Sequence, residues 1–221
     1  MSSYAISQFS TEIQDFFGGH DLSMLTSCGA PELPESPNYL DQMIWNFICG
    51  TKYTETALQH LTVTFLRRSD AAQKSYVLAR SHLQKYVDGL PKDTHLGLYW
   101  SALMQFEHCI AATWQAIELY REMSLVLVGN REKVFTPGDG SDLESINHLN
   151  NVLKHFSFDQ AKKSSTPMWI TNDGLASVEK SVSFVDLQLN VISLSEMART
   201  MAIELPHQAR ERARNKLIGH P

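Results

Sequence analysis

The chain has 221 residues, 43% hydrophobic and 19% charged, a balance that excludes an unstructured polymer and is enough to bury the core of one large domain. No apolar run approaches the ~20 residues needed to cross a bilayer, and the most apolar piece, Met123 to Val128, covers under two helical turns. A net charge of −5 is the wrong sign for a protein whose whole surface grips nucleic acid, although it allows a local basic patch.

The N-terminus has no basic leader and no apolar core segment, and it carries Glu12 and Asp15, so it does not read as a signal peptide. Cys28, Cys49 and Cys109 are odd in number and widely spaced, which excludes a zinc ribbon or a CxxC redox centre. They suit a reducing compartment, and the expected location is the cytosol.

In chain order, Ile6, Phe9, Ile13 and Phe16 mark a first amphipathic helix stopped by Gly18-Gly19. The Pro-, Ser- and Gly-rich stretch from His20 to Pro37 is a loop or linker, so residues 1–37 form an N-terminal arm and 38–221 a helical bundle. Asn38 caps a helix carrying Leu40, Met43, Ile44, Phe47 and Ile48, interrupted by Gly50. A further helix runs from Thr54 to Arg67, and Ser69 or Asp70 opens another with Val77, Leu83 and Val87 inward. Gly89 and Pro91 close it.

Thr94 to Val128 is the longest helical pattern, with Leu96, Trp100, Leu103, Ile110, Trp114, Ile117 and Ser124 in one stripe and Phe106 and Tyr120 beside it. Aromatics at this spacing are expected in the core rather than around a ligand. A Thr136–Gly140 turn precedes a capping box, Ser141 and Glu144, that opens a helix to Phe156. From Thr166 to Phe184, Pro167, the turn signal Asn172-Asp173-Gly174 and flanking β-formers predict a short hairpin or ordered loop. A heptad follows through Leu187, Val191, Leu194, Ala198, Met201 and Leu205, and Pro206 starts a last short helix. The predicted class is all-α: a helical bundle with long central helices and a short β insertion near residues 166–184.

The helix from Ser141 is two-faced. Leu149, Leu153 and Phe156 are flanked by Ile146 and Val152 on one side, and Glu144, His148, Asn151 and His155, with Lys154 beside them, lie on the other. Such a face serves as a polar binding site, a dimer contact, or a seam satisfied against a neighbour. The two histidines sit about 10 Å apart along the axis, too far to share an ion, so no metal is expected. No cofactor is expected either. Neither G-x-G-x-x-G nor G-x-x-x-x-G-K-[ST] occurs, G-x-S-x-G and H-E-x-x-H are absent, and Gly50-Thr51-Lys52 lacks the upstream glycine of a phosphate loop. Glu107 and His108 are adjacent and point about 100° apart, so with Glu118 and Glu122 they read as outer-face groups and not as a di-iron set.

The last segment is the most basic, with Arg210, Arg212, Arg214 and Lys216 against Glu211. Arg214-Asn215, four residues, then His220 resembles the R-N-x(4)-H form of the motif of HEPN domains, helical bundles many of which are metal-independent ribonucleases. The resemblance covers this motif and the all-helical context. It implies a homodimer that binds or cuts RNA, with Arg214 stabilising phosphorane charge, His220 as acid or base, and Asn215 positioning. The pattern departs from the family in that a further helix usually follows the motif. Asn151, Lys154 and His155 in NNVLKHF, and WITNDGL from Trp169 to Leu175, resemble motifs of uncharacterised bacterial helical proteins related to HEPN domains. That likeness speaks to fold and brings no established activity. The reading from another class is a non-catalytic module that dimerises or holds a protein partner, with no membrane involved.

Overall fold

A computed structural model describes residues 25–34, 56–90, 95–154, 168–177 and 179–204. The predicted helices at Ile6–Phe16, Asn38–Ile48 and after Pro206 lie outside the described residues, as do His155, Arg214, Asn215 and His220. Four helices dominate the described residues: α1 (Thr56–Gly89), α2 (Leu96–Val128), α3 (Asp142–Lys154) and α4 (Phe184–Arg199). A three-stranded antiparallel sheet stands between α3 and α4: β1 (Trp169–Ile170), β2 (Gly174–Ala176) and β3 (Ser181–Ser183). The architecture is all-α with a small β insertion.

α1 and α2 pair as an antiparallel hairpin about 50 Å long. On α1, Thr62, Phe65, Ser69, Ala72, Tyr76, Ala79, Leu83 and Tyr86 are all buried, and they alternate at three- and four-residue steps. Tyr99, Ala102, Phe106, Cys109, Thr113 and Ala116 do the same on α2, and Met123 follows one heptad further on. These are two heptad seams, with small residues leaving room for large ones across the interface. Contacts along the seam run in opposite directions in the two helices. Tyr86 meets Tyr99 with ring centres 5.6 Å apart, Tyr76 meets Phe106 at 6.0 Å, and the Thr62 hydroxyl lies 3.6 Å from Met123 Sδ. Gly129 ends α2 in the left-handed region (φ 77°), and its N–H donates to the Leu125 carbonyl.

Three expectations change here. α1 is a single helix across Ser69. The Ser69 hydroxyl donates to the Phe65 carbonyl at 3.0 Å, as Thr62 does to Leu58 and Thr64 to His60, so these hydroxyls are satisfied by the preceding turn and cap nothing. Val77 is half exposed instead of inward, because its neighbour Tyr76 holds the heptad position. Trp100 is 40% exposed for the same reason: Tyr99 takes the seam.

The sheet buries Ile170, Leu175 and Val182 on its inner face, where registry pairs Ile170 with Leu175 and Leu175 with Val182. Tyr99 on α2 accepts the Ile170 N–H at 3.2 Å, tying β1 to the hairpin. Gly174 does not adopt positive φ. It is glycine for space, since a Cβ there would lie 2.1 Å from the Val182 carbonyl oxygen. Ser183 caps α4 by accepting the Asp186 N–H at 3.0 Å. Leu187, Val191, Leu194 and Ala198 are buried as the heptad predicts. A π-helical turn, Thr200–Glu204, then adds a residue to the repeat, so Ala202 is fully buried and Met201 only partly.

Residues 25–34 lie against α1, α4 and the β1–β2 turn. The Tyr76 hydroxyl donates to the Pro31 carbonyl (3.0 Å), Arg80 Nε to the Ala30 carbonyl (2.9 Å) and Gln188 to the Glu32 carbonyl (2.6 Å). The Arg80 guanidinium also pairs with the Glu32 carboxylate at 2.9 Å. The Thr26 N–H donates to Asn172 Oδ1, and Leu25 and Ala30 are buried.

Candidate functional site

The two-faced helix forms as α3, from Asp142 to Lys154. Ile146 and Leu149 are fully buried on its apolar side, and the Ser141 hydroxyl accepts the Glu144 N–H at 3.2 Å. Only half of the expected capping box is present. Glu144 does not reach back to Ser141, whose N–H goes to Asp139 at 2.9 Å. The Glu144 carboxylate instead accepts the N–H groups of Gly138 and Gly140 and the ammonium of Lys180, at 2.5, 3.0 and 3.2 Å. Both glycines have positive φ (83° and 72°), which turns their amides toward one carboxylate. These backbone donors, with the Lys180 ammonium, hold the Glu144 carboxyl below its ordinary range.

One turn on, His148 Nε2 lies 3.6 Å from the Glu179 carboxylate. Glu144 and His148 thus both face the turn between β2 and β3, where Ser177 and Lys180 bond through both backbone and hydroxyl. At the N-terminus of α3, Asp142 accepts the Asn190 amide of α4. The first half of the polar face is therefore a seam that joins α3 to the sheet and to α4. Of the second half, the described residues Asn151 and Lys154 stay outside it. Asn151 is exposed and, among the described residues, bonds to Asn147, one turn back on the same helix, and Lys154 is exposed.

Asp142, Glu179, Lys180 and Asn190 complete the seam and were not among the predicted residues. No local pattern marks them, because their partners are supplied by folding across 36 (Glu144–Lys180) and 48 (Asp142–Asn190) positions. The WITNDGL residues act as pins in the same way. Asn172 holds Thr26, the Asp173 carbonyl accepts the Phe184 N–H at 2.7 Å, and the Thr171 hydroxyl accepts the Gly174 N–H.

The chemistry available at these groups is limited. A carboxylate with three donors and a lowered pKa is a poor proton acceptor, so Glu144 is unsuited to act as a base. Cys109 is buried, and its thiol is pushed up to about 12, far from a nucleophilic thiolate. Glu107 on α2 is partly buried, and desolvation raises its carboxyl, but its neighbour His108 is exposed. Glu118 pairs with Arg121 at 2.8 Å and Glu122 with Arg131 at 2.7 Å, as outer-face residues do. Among the described residues, no three His, Cys, Asp or Glu side chains are grouped to hold a metal ion. No described helix is long and apolar enough to cross a membrane.

Asn150 is the one residue of α3 that fits neither face. It is fully buried on the apolar side, and neither amide atom has a hydrogen-bond partner among the described residues. No family model matches this sequence, and neither a curated protein nor a solved structure does.

Proposed function

We propose that this protein is a non-catalytic helical module of the cytosol that works by dimerising and by holding a protein partner. The observation that carries this reading is the distribution of exposed apolar side chains. Trp100 and Met104 stand one turn apart on α2, and Val185 and Leu189 one turn apart on α4, each 40–53% exposed. Pairs at this spacing form stripes, and stripes of large apolar side chains on a folded surface mark contact sites. The commitment of Glu144 to a structural seam supports the same reading, because it removes the best-placed carboxylate of α3 from catalysis. Light scattering across a wide concentration range tests it. We expect a dimer whose population falls at least about tenfold with Leu189→Ser or Met104→Ser, the cost of removing one central apolar contact. A wild-type protein that stays monomeric at the highest attainable concentration rejects it.

A second reading is favoured by the sequence motif Arg214-Asn215…His220 and the basic residues around it. Here the protein is HEPN-like and binds or cleaves RNA as a homodimer without metal, with Asn151, Lys154 and His155 extending the RNA-facing surface. Incubation with mixed RNA in excess chelator tests it, products ending in 2′,3′-cyclic phosphate being the expected result. No cleavage by wild type, or equal cleavage by Arg214→Ala, rejects it.

A further inference from the structure

The segment 25–34 is held in an unusual way for a chain's own arm. Three side chains of the helical body, Tyr76, Arg80 and Gln188, donate to three successive main-chain carbonyls, those of Ala30, Pro31 and Glu32. Arg80 adds an ion pair to Glu32, and Asn172 accepts the Thr26 N–H. Two features fix the register. Gly29 packs so closely on the β1–β2 turn that a Cβ would lie 2.0 Å from the Asn172 carbonyl oxygen, and Ala30 beside it is buried. Pro31 has no N–H to satisfy, so only its carbonyl needs a partner. The groove thus reads an extended Gly-Ala-Pro-Glu segment through its backbone, its lack of bulk and one negative charge.

None of these bonds depends on which copy of the chain supplies the segment. Twenty-one residues, 35–55, separate Pro34 from the start of α1. With the helix predicted at Asn38–Ile48 rising ~1.5 Å per residue and the other ten residues at ~3.3 Å, they reach up to about 50 Å, the length of the long hairpin. The groove is flanked by exposed apolar side chains. Val77 adjoins Tyr76 on α1, and Val185 and Leu189 bracket Gln188 on α4, each 50–53% exposed. A second copy docked across the groove covers them.

We propose that residues 25–34 form an exchangeable strap, and that the groove between α1, α4 and the Asn172 turn takes this strap from a second copy of the chain as well as from its own. Exchange is reciprocal, each copy seating its strap in the other, which gives a closed two-fold dimer. The tethered strap competes at an effective concentration on the order of millimolar. The exchanged form therefore gains on refolding at high protein concentration. The inference rests on the dimerisation reading above and names how two copies join.

Charge reversal in the full-length protein tests it. In a Glu32→Arg chain the strap carries a cation against Arg80, and in an Arg80→Glu chain the groove carries an anion against Glu32, so each is mismatched with itself. Exchanged between the two chains, each strap meets a groove of opposite charge, and one of the two pairings is fully native. The chains are unfolded in urea, refolded together or apart, and weighed by native mass spectrometry. We expect the mixture to give roughly tenfold more heterodimer than either chain gives homodimer, the effect of restoring two ion pairs of modest strength. Homodimers as abundant as the heterodimer overturn strap exchange and leave the dimerisation reading standing. Monomers alone, in the mixture and in refolded wild type, overturn both. If Arg80→Glu lowers the melting temperature too far to refold, Arg80→Gln takes its place, since it leaves Glu32 of its own chain without the ion pair while its groove accepts the reversed strap without repulsion. The same outcomes then decide.

Discussion

The α1–α2 hairpin and the region from Thr136 to Ser183 are built by different means. In the hairpin, buried side chains repeat at heptad spacing over about twenty-five residues of each helix, and geometry follows from burial. In the other region, a short helix and a small sheet are joined by a carboxylate on two glycine amides, a lysine reaching back 36 positions, an asparagine on an aspartate and a tyrosine hydroxyl on a strand. Hydrophobic contact is non-directional and tolerates small shifts, whereas a hydrogen bond is lost over half an ångström. The hairpin supplies the stability, and the polar region supplies the orientation of what is attached to it.

The largest test of this contrast is Phe106→Ala. Phe106 is fully buried and touches both Tyr76 and Phe184, with ring centres 6.0 and 4.9 Å away. Truncation should cost about 3–5 kcal/mol in urea unfolding. A cost under about 1 kcal/mol means the seam is not where stability resides.

Tyr99→Phe removes the acceptor for the buried Ile170 N–H while keeping the ring. It should cost about 1–3 kcal/mol and speed hydrogen exchange at Ile170 more than at amides within α1. Uniform acceleration across the chain contradicts a local role.

Asn150→Leu goes the other way. Replacing a fully buried amide that has no partner among the described residues should raise stability by about 1 kcal/mol, read as a higher urea midpoint. A lower midpoint shows that the amide is engaged.

Glu144→Gln is the subtlest. The folded carboxyl titrates below its ordinary value of 4.5, chiefly through the Gly138 N–H and then Lys180, so between the two values the unfolded chain binds more protons. The stabilisation is complete above pH 4.5 and disappears as pH falls through the lower folded value. Thermal melts of wild type and variant should differ at neutral pH and converge in acid. A constant offset at all pH values points to packing instead of charge.

Legibility in the sequence follows the same division. Leu83, Ile110, Leu187 and Val191 were readable as core because period alone places them, and the all-α class with a β insertion near residues 166–184 was readable for the same reason. Misreadings occurred where one residue competes with its neighbour for a heptad position, as Val77 does with Tyr76 and Trp100 with Tyr99. The apparent break at Ser69 arose from a hydroxyl whose partner, the carbonyl one turn back, exists only once the helix has formed. The polar face of α3 was legible as a face, but not what it meets, since Lys180, Glu179 and Asn190 arrive from distant sequence. The seating of residues 30–32 was invisible because it uses carbonyl oxygens, which every residue has.

The wide turn at Thr200–Glu204 carries a consequence for the chain beyond it. A turn closed over five residues holds one more than an α turn, and each residue of helix sweeps about 100° around the axis. Removing a single amino acid there would let ordinary helical bonding run straight through, at little cost or even a gain in local order. It would also swing the direction in which the following segment departs by more than a quarter of a circle. A one-residue change in length at this place therefore steers the C-terminal segment without touching any side chain in it.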